Sequence, residues 1–249
     1  MLLGVPAAAA SVLVLPRLTA LAGPAAPSAL AGDQTPVDIV TADVVAPPGQ
    51  PRLFVHYPAS VDLDLHYVNK DGNAGCGIRD HEETVEAEVP GGAAWVHYDG
   101  VRYDLLQFHF HTPSEHTVNG HTFPLEQHFV HADAAGNLLV LGLFLRGGGL
   151  LTPQDRVLHT LPAECGGHLH LAGVNLRASL PIDLHTYRYQ GSLTTDPFTT
   201  GVRWHVLRTP KRVRDRTIAR FQGLFPDGNS REVQPLGDRV ITLGQGHLV

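Results

Sequence analysis

Short runs that either alternate between apolar and polar side chains or are rich in β-branched and other apolar residues recur along most of the chain. The clearest of these runs read RLFVHY, VDLDLHYV, ETVEAEV, LLQFHFH, QHFVHA and LLVLGLFL. Alternation with a period of two is typical of β-strands, because successive side chains of a strand point to opposite faces of a sheet. Segments rich in glycine, asparagine and aspartate separate the runs and favour turns. The pattern therefore predicts a mainly β fold.

Two segments have the features of helices instead. They are TPQDRVLHTLP (Thr152 to Pro162) and TPKRVRDRTIARFQGLF (Thr209 to Phe225), and each begins with a Thr-Pro pair. Threonine caps helix N-termini, and proline is well tolerated at the first helical position. We therefore predict two short peripheral helices that begin at these pairs. The sequence contains no internal repeat and no long linker, which indicates a single domain.

The first part of the chain differs in composition from the rest. Residues 1–31 are apolar and rich in alanine and proline, and the run Met1 to Pro16 is too short to span a bilayer. The segment Ala29-Leu30-Ala31 resembles a small-residue signal cleavage site, although no lysine or arginine precedes the apolar run. We expect a signal peptide or a disordered segment at 1–31 and a folded domain at 32–249. The mature protein would then be exported, to the periplasm or outside the cell, without a membrane span; without a signal it would be cytoplasmic.

Charge and cysteine content exclude some classes of protein. The 249 residues carry a formal net charge of -6, and positive charges cluster only between Arg208 and Arg220. We interpret that cluster as a solvated face, so nucleic acid is not an expected partner. The two cysteines, Cys76 and Cys165, form no Cys-x-x-Cys motif, which argues against a thiolate zinc site. A disulfide and two separate thiols both stay open as alternatives.

The histidines are the most informative residues. The chain contains 16 of them, and histidine is a common metal ligand. In a strand LLQFHFH, His109 and His111 would share one face, while Phe108 and Phe110 would occupy the other. A second pair with the same spacing, at His168 to His170, lacks a third histidine at hairpin distance, and we interpret it as a surface pair.

A third histidine is placed near the first two by a predicted hairpin. The pair at 119–120, Asn-Gly, favours a two-residue hairpin turn. If Val118 pairs with His121, then His111 falls opposite His128, and cross-strand partners project to the same face. Three neutral imidazoles that leave one tetrahedral position open are typical of a catalytic zinc site.

Two further side chains fit the same hypothesis. Zinc-binding histidines need an acceptor for their second ring N–H. Gln107 precedes His109 by two residues, and Glu126 precedes His128 in the same way. The alternative is a set of ordinary sheet histidines in a histidine-rich chain.

These motifs resemble a known family, the α-class carbonic anhydrases. QFHFH followed by SEHTVNGHTFPLEQHFVH is similar to that family's signature, and the similarity extends through LLVLGLFL, GSLTT, VRWHVL and QTPVDI. It covers the chain from Gln34 onward and implies a large, twisted, mostly antiparallel central sheet. Gln127 departs from the signature but would face away from the ligands. An Ala/Pro-rich stretch replaces the family's aromatic-rich N-terminal segment.

The resemblance implies reversible hydration of carbon dioxide to bicarbonate and a proton. It assigns Zn²⁺ to His109, His111 and His128, and in carbonic anhydrases as a class zinc is known to lower the pKa of bound water to about 7. Thr194 would be a gate residue that accepts a hydrogen bond from the zinc-bound hydroxide and donates one to Glu115. The remaining implied residues line an apolar carbon dioxide pocket: Val130, Val140, Leu193, Thr195 and Trp204.

The resemblance also implies a proton shuttle. His81 aligns with the family's shuttle histidine, but its neighbours are charged where the family has asparagine, glycine and apolar residues. A nearby carboxylate raises the pKa of an imidazole and slows proton release. We therefore expect a functional but slower shuttle.

Two other functions stay open at this point. HFHTPSE contains the His-x-His-x₃-Glu motif of cupins, which are also β-rich metal proteins, although the second cupin motif is missing. A non-catalytic, carbonic-anhydrase-like binding protein is the other alternative. Relatives of that kind have lost one or more metal histidines, whereas this chain has all three. The sequence does not determine the oligomeric state.

Overall fold

The computed structural model describes residues 33–68, 84–162 and 167–249. Strands dominate the described residues, which confirms the predicted mainly β fold. The strands are β1 (Asp38–Ile39), β2 (Leu53–His56), β3 (Val61–Val68), β4 (Thr84–Glu88), β5 (Trp95–Tyr98), β6 (Val101–His111), β7 (Thr117–Val118), β8 (Leu125–Ala132), β9 (Leu138–Arg146), β10 (His168–Val174), β11 (Thr186–Ser192), β12 (Thr200–Arg212), β13 (Thr242–Gly244) and β14 (Gly246–Leu248). The helices are α1 (Pro153–His159) and α2 (Asp215–Leu224), with a 3₁₀ turn at Arg177–Ser179.

One large twisted sheet organises the molecule. It has 12 strands, in the order β10-β3-β4-β6-β8-β9-β12-β11-β13, with β5, β2 and β14 branching from β6. Neighbouring strands are antiparallel except for the pairs β9–β12 and β2–β14, which are parallel. The mostly antiparallel central sheet is therefore confirmed. β1 and β7 form a separate parallel pair.

Strands β8 and β9 lie in the middle of this sheet and are buried on both faces. On one face, Phe108, Phe110 and Phe129 belong to the larger apolar cluster. On the other face, Val140 and Trp204 belong to a second, smaller cluster. Each fully buried side chain of this size contributes about 1.5–3 kcal/mol of transfer free energy. Both faces are thus packed where the sheet carries the histidines.

Helix α1 begins where the sequence predicts. Thr152 is its N-cap and Pro153 its first residue. The Thr152 side chain accepts the backbone N–H of Asp155, and the Asp155 carboxylate accepts the Thr152 backbone N–H at 2.7 Å. This reciprocal capping box satisfies two N–H groups that the helix itself cannot bond.

Helix α2 begins later than predicted, and the expected start at Thr209 is wrong. Thr209 and Pro210 lie in β12, where the ladder to β9 is irregular between Leu207 and Lys211. Proline is tolerated there because the irregularity requires no N–H from it.

The start of α2 depends on a contact with α1 instead. Arg214 precedes the helix and provides no side-chain cap. Its backbone N–H donates to the Asp155 carboxylate at 3.0 Å, and the Thr217 hydroxyl donates to the same oxygen. One carboxylate therefore caps both helices. Neither described helix has the length and apolar character needed to cross a membrane.

Candidate metal centre

Three histidines meet at the centre of the sheet. His109 and His111 lie on β6, and His128 lies on the neighbouring strand β8. His109 is directly opposite His128, whereas His111 is opposite Glu126. The predicted pairing of His111 with His128 is therefore wrong by two residues (128 − 126 = 2).

The predicted turn is nevertheless present, since Val118 pairs with His121. The predicted register fails in the segments that join this turn to β6 and β8. Residues 117–118 pair with β1 rather than with β8, and the Ser114 backbone N–H donates to the Phe123 carbonyl at 2.9 Å. The ladder is thus not continuous from the turn to β6. An even shift keeps the side chains on the same face, so the three imidazoles still converge.

The three rings are close enough to share one metal ion. Their ligand nitrogens all lie within 4.8 Å of one another, and the ring centroids are 4.7–5.3 Å apart. Nitrogens around a tetrahedral zinc at about 2.0–2.1 Å are separated by roughly 3.4 Å, so a small side-chain adjustment suffices. His111 Nε2 is buried and has no hydrogen-bond partner in the part of the chain that the structure describes. A buried, unsatisfied nitrogen that points at two other imidazoles fits a zinc ion.

Hydrogen bonds on the far side orient two of the rings. The His109 Nδ1–H donates to Gln107 Oε1, and the His111 Nδ1–H donates to the Asn229 carbonyl, both at 2.9 Å. These bonds leave Nε2 of each ring available to bind a metal ion. Gln107 thus accepts the second ring N–H of His109, as expected from its position two residues earlier on the strand. The Asn229 carbonyl could not be predicted, because it comes from a loop far along the chain and a backbone oxygen carries no sequence signal.

Glu126 lies beside the third ring, with Oε1 at 3.1 Å from His128 Nε2, although the angle is unfavourable for a hydrogen bond. It also accepts the His116 backbone N–H at 2.9 Å and the His116 Nδ1–H at 2.8 Å. Burial opposes ionisation, but His116 and His128 outweigh it and hold the pKa of Glu126 well below its usual range. His116, whose Nε2 lies 2.7 Å from the Tyr189 hydroxyl, was missed by the sequence reasoning.

The protonation of the ligands follows from their surroundings. Burial lowers the pKa of His111, despite the opposing effect of Glu115. Burial also disfavours the charged form of His128, but Glu126 and Glu115 outweigh it and raise its pKa. A metal binds only the neutral ring, so binding would release a proton from any His128 that is protonated.

A cavity of about 440 Å³ opens beside the histidines and is lined by His111, Glu115, Thr194 and Thr195. Glu115 is buried, and its Oε1 accepts the Arg231 backbone N–H at 2.9 Å. Its Oε2 lies 3.7 Å from His128 Nδ1 and has no hydrogen-bond partner among the described residues. Thr194 therefore does not donate to Glu115 in this structure, although both face the same cavity.

The apolar residues expected beside the metal are brought together. Val130, Val140 and Trp204 belong to one buried cluster, and Leu193 packs against it. The Trp204 ring lies 4.9 Å from the His128 ring, and its indole N–H donates to the Ser192 carbonyl at 2.9 Å. The candidate metal centre thus has an apolar wall on one side.

Some predictions concern residues outside the described part of the chain. His81, Cys76 and Cys165 all lie there, as do residues 1–31. On the described surface, His168 and His170 are exposed, as a surface pair should be. Gln127 faces away from the metal ligands and accepts a hydrogen bond from Gln154 at 3.1 Å.

Comparison with known proteins identifies the family. A family model described as eukaryotic-type carbonic anhydrase matches residues 24–245. A carbonic anhydrase from Nostoc sp. is 34% identical over 212 residues, which cover 84% of this chain and 74% of the relative. Carbonic anhydrase 7 from Homo sapiens is 30% identical over 245 residues, covering 86% of this chain and 89% of the relative. An α-carbonic anhydrase from Thermovibrio ammonificans, solved with the inhibitor sulfanilamide, is 37% identical with a TM-score of 0.73, and the match covers 85% of this chain and 87% of that one. The chain therefore belongs to the α-class carbonic anhydrase family.

Proposed function

We propose that this enzyme catalyses the reversible hydration of carbon dioxide with a zinc ion held by His109, His111 and His128. The observation that carries the proposal is the convergence of three imidazoles, one of which has a buried nitrogen with no hydrogen-bond partner among the described residues. Three protein ligands leave a fourth tetrahedral position for solvent, as in catalytic zinc sites. When bound, zinc supplies a nucleophile at neutral pH by lowering the pKa of water to about 7, a value established for carbonic anhydrases.

The surrounding residues have separate tasks in this proposal. Gln107 and the Asn229 carbonyl hold two ligand rings in position through their Nδ1–H groups. Glu126 lies against the third ring and, as a carboxylate, increases its basicity. The ligand rings are therefore oriented before the metal binds, which reduces the conformational entropy lost on binding.

Glu115 and Thr194 would control the direction of the nucleophile. The unsatisfied Oε2 of Glu115 is an acceptor within the cavity that Thr194 also lines. A Thr194 hydroxyl that donates to this oxygen keeps its own lone pairs available for a donor on the metal side. Glu115 is held in turn by the Arg231 backbone, so the acceptor is fixed before substrate binds.

The apolar wall would hold the substrate. Carbon dioxide is uncharged and apolar, and the wall of Val130, Val140 and Trp204 offers it a water-poor surface beside the metal. Excluding water also strengthens the electrostatic interactions in the site. Leu193 packs against this wall, and Thr195 lines the neighbouring cavity. Proton transfer to buffer through His81 and export of the mature chain stay predictions.

Metal analysis combined with a hydration assay tests the proposal. The purified protein should contain about one zinc per chain, hydrate carbon dioxide, lose activity with a chelator, and regain it with zinc. A sulfonamide, whose anionic nitrogen can take the open zinc position, should inhibit it. Full activity in metal-free protein would refute the zinc mechanism, and a zinc-loaded protein without activity would instead indicate a non-catalytic binding protein. The cupin alternative is not supported, since fold and sequence both match another family.

A further inference from the structure

A row of polar side chains crosses the sheet from the metal centre to its edge. His109 on β6 is opposite Glu86 on β4, which is opposite His66 on β3, which is opposite His168 on β10. Cross-strand partners project to the same face. Neighbouring strands are about 4.8 Å apart, so His66 lies about 10 Å across the sheet from His109. The polar face of the metal centre therefore continues well beyond the three zinc ligands.

A second group of metal-binding side chains lies within this row. His66, Glu86 and Glu88 offer ligand atoms that all lie within 4.8 Å of one another. Glu86 and Glu88 are two residues apart on β4, so both carboxylates point to the same side. His66 and Glu86 are half-buried, and Glu88 is exposed, so the group is open to solvent.

The charges around this group favour a cation. Asp64 on β3 is directly opposite Glu88, and like charges in that position destabilise a sheet. Asp62 and Asp64 are both exposed on the same strand. Four carboxylates thus share this part of the face, counting Asp62, Asp64, Glu86 and Glu88.

We propose that His66, Glu86 and Glu88 form a second site for a divalent transition-metal ion such as Zn²⁺. One imidazole nitrogen and two carboxylate oxygens suit a transition metal better than Mg²⁺ or Ca²⁺, which prefer oxygen ligands alone. Solvent completes the coordination, since the group is partly exposed. Glu86 and Glu88 lie on the same side of β4, and the ion would neutralise both carboxylates.

His170 on β10 lies near the proposed site but differs from His66 in its contacts. His170 Nδ1 lies 2.9 Å from Asp64, and His170 Nε2 lies 3.6 Å from Asp62, so its two nitrogens face different carboxylates. Its hydrogen bond with Asp64 raises the pKa of His170. His170 therefore already has carboxylate partners on β3, and it serves as a matched control for His66.

Calorimetric titration of the one-zinc holoenzyme with Zn²⁺ near pH 7.5 tests the site. The wild type should bind one further equivalent, more weakly than the first. His66→Gln and Glu88→Gln should each weaken this second equivalent at least tenfold and keep the first. The matched control His170→Gln should leave both unchanged. His111→Asn should lose the tight equivalent and keep the weak one, which separates this site from the proposed catalytic centre.

Three results would overturn the second site. They are the absence of a second equivalent in the wild type, its persistence at full affinity in both His66→Gln and Glu88→Gln, and its loss in His170→Gln. Glu88 is exposed, so its substitution is not expected to affect folding, and circular dichroism verifies this for each variant.

Discussion

Replacing Glu126 by alanine should strongly destabilise the metal-free protein. The carboxylate is fully buried and accepts two hydrogen bonds from His116, through the backbone N–H at 2.9 Å and Nδ1 at 2.8 Å. It also lies 3.1 Å from His128 Nε2. The substitution leaves these donors buried with no acceptor and opens a cavity next to Gly142.

The expected loss of unfolding free energy is about 3–5 kcal/mol, the usual cost of removing one partner of a buried ionic contact. For a domain of this size, each kcal/mol lowers the melting temperature by about 2–4 °C, so the decrease should be about 6–20 °C. Gln127→Ala is the matched control, because Gln127 is the next residue on the same strand and equally buried. Its removal takes one acceptor from Gln154, which still donates to the Ser179 carbonyl at 2.8 Å, so we expect about 1–2 kcal/mol.

Urea unfolding of the metal-free proteins measures both values. The pKa of Glu126 is depressed in the folded state, so its stabilisation is complete above the unfolded value of about 4.3 and declines as the pH falls below it. The difference between wild type and Glu126→Ala should therefore shrink in acid. A loss below about 1 kcal/mol at pH 7, or one equal to that of Gln127→Ala, would show that Glu126 does not stabilise this part of the core. Glu126→Gln keeps the shape and should lower zinc affinity by about 10–100-fold.

The remaining predictions concern the catalytic groups, the pocket and the helices. Thr194→Ala and Glu115→Gln should each reduce kcat/KM on the order of a hundredfold, and the double variant should be no worse than the poorer single one, because both would act through the proposed hydrogen bond from Thr194 to Glu115; additive losses would contradict that coupling. Val130→Phe should reduce kcat/KM about tenfold at unchanged zinc content by filling the pocket, and an unaltered rate would place substrate elsewhere. Asp155→Asn should lower the free energy of unfolding by about 2 kcal/mol in urea at pH 7 and leave kcat/KM unchanged. Burial opposes ionisation of Asp155, but hydrogen bonds, first among them that of the Thr217 hydroxyl, outweigh it and depress the pKa in the folded state. The loss of stability should therefore fade below about pH 4. His81→Ala should lower turnover and be rescued by imidazole buffer, whereas an unchanged rate would remove it from proton transfer.

The amino-acid sequence by itself determined the features that depend on local chemistry. Alternating runs specified the strands, because the period of side-chain direction is a property of the extended backbone. The pair Thr152-Pro153 marked the start of α1, and the other capping group, Asp155, lies only three residues further on, so all the capping groups are local. The spacing of His109 and His111 placed both rings on one face for the same local reason.

Only the tertiary structure decided the features that join distant segments. The register of β6 with β8 depends on how the chain between them packs against β1, and the start of α2 depends on Asp155 in α1. The Asn229 carbonyl beside His111 and the Arg231 N–H beside Glu115 are backbone groups, which every residue possesses. No residue type signals such contacts in advance, because they arise only when the fold brings the segments together.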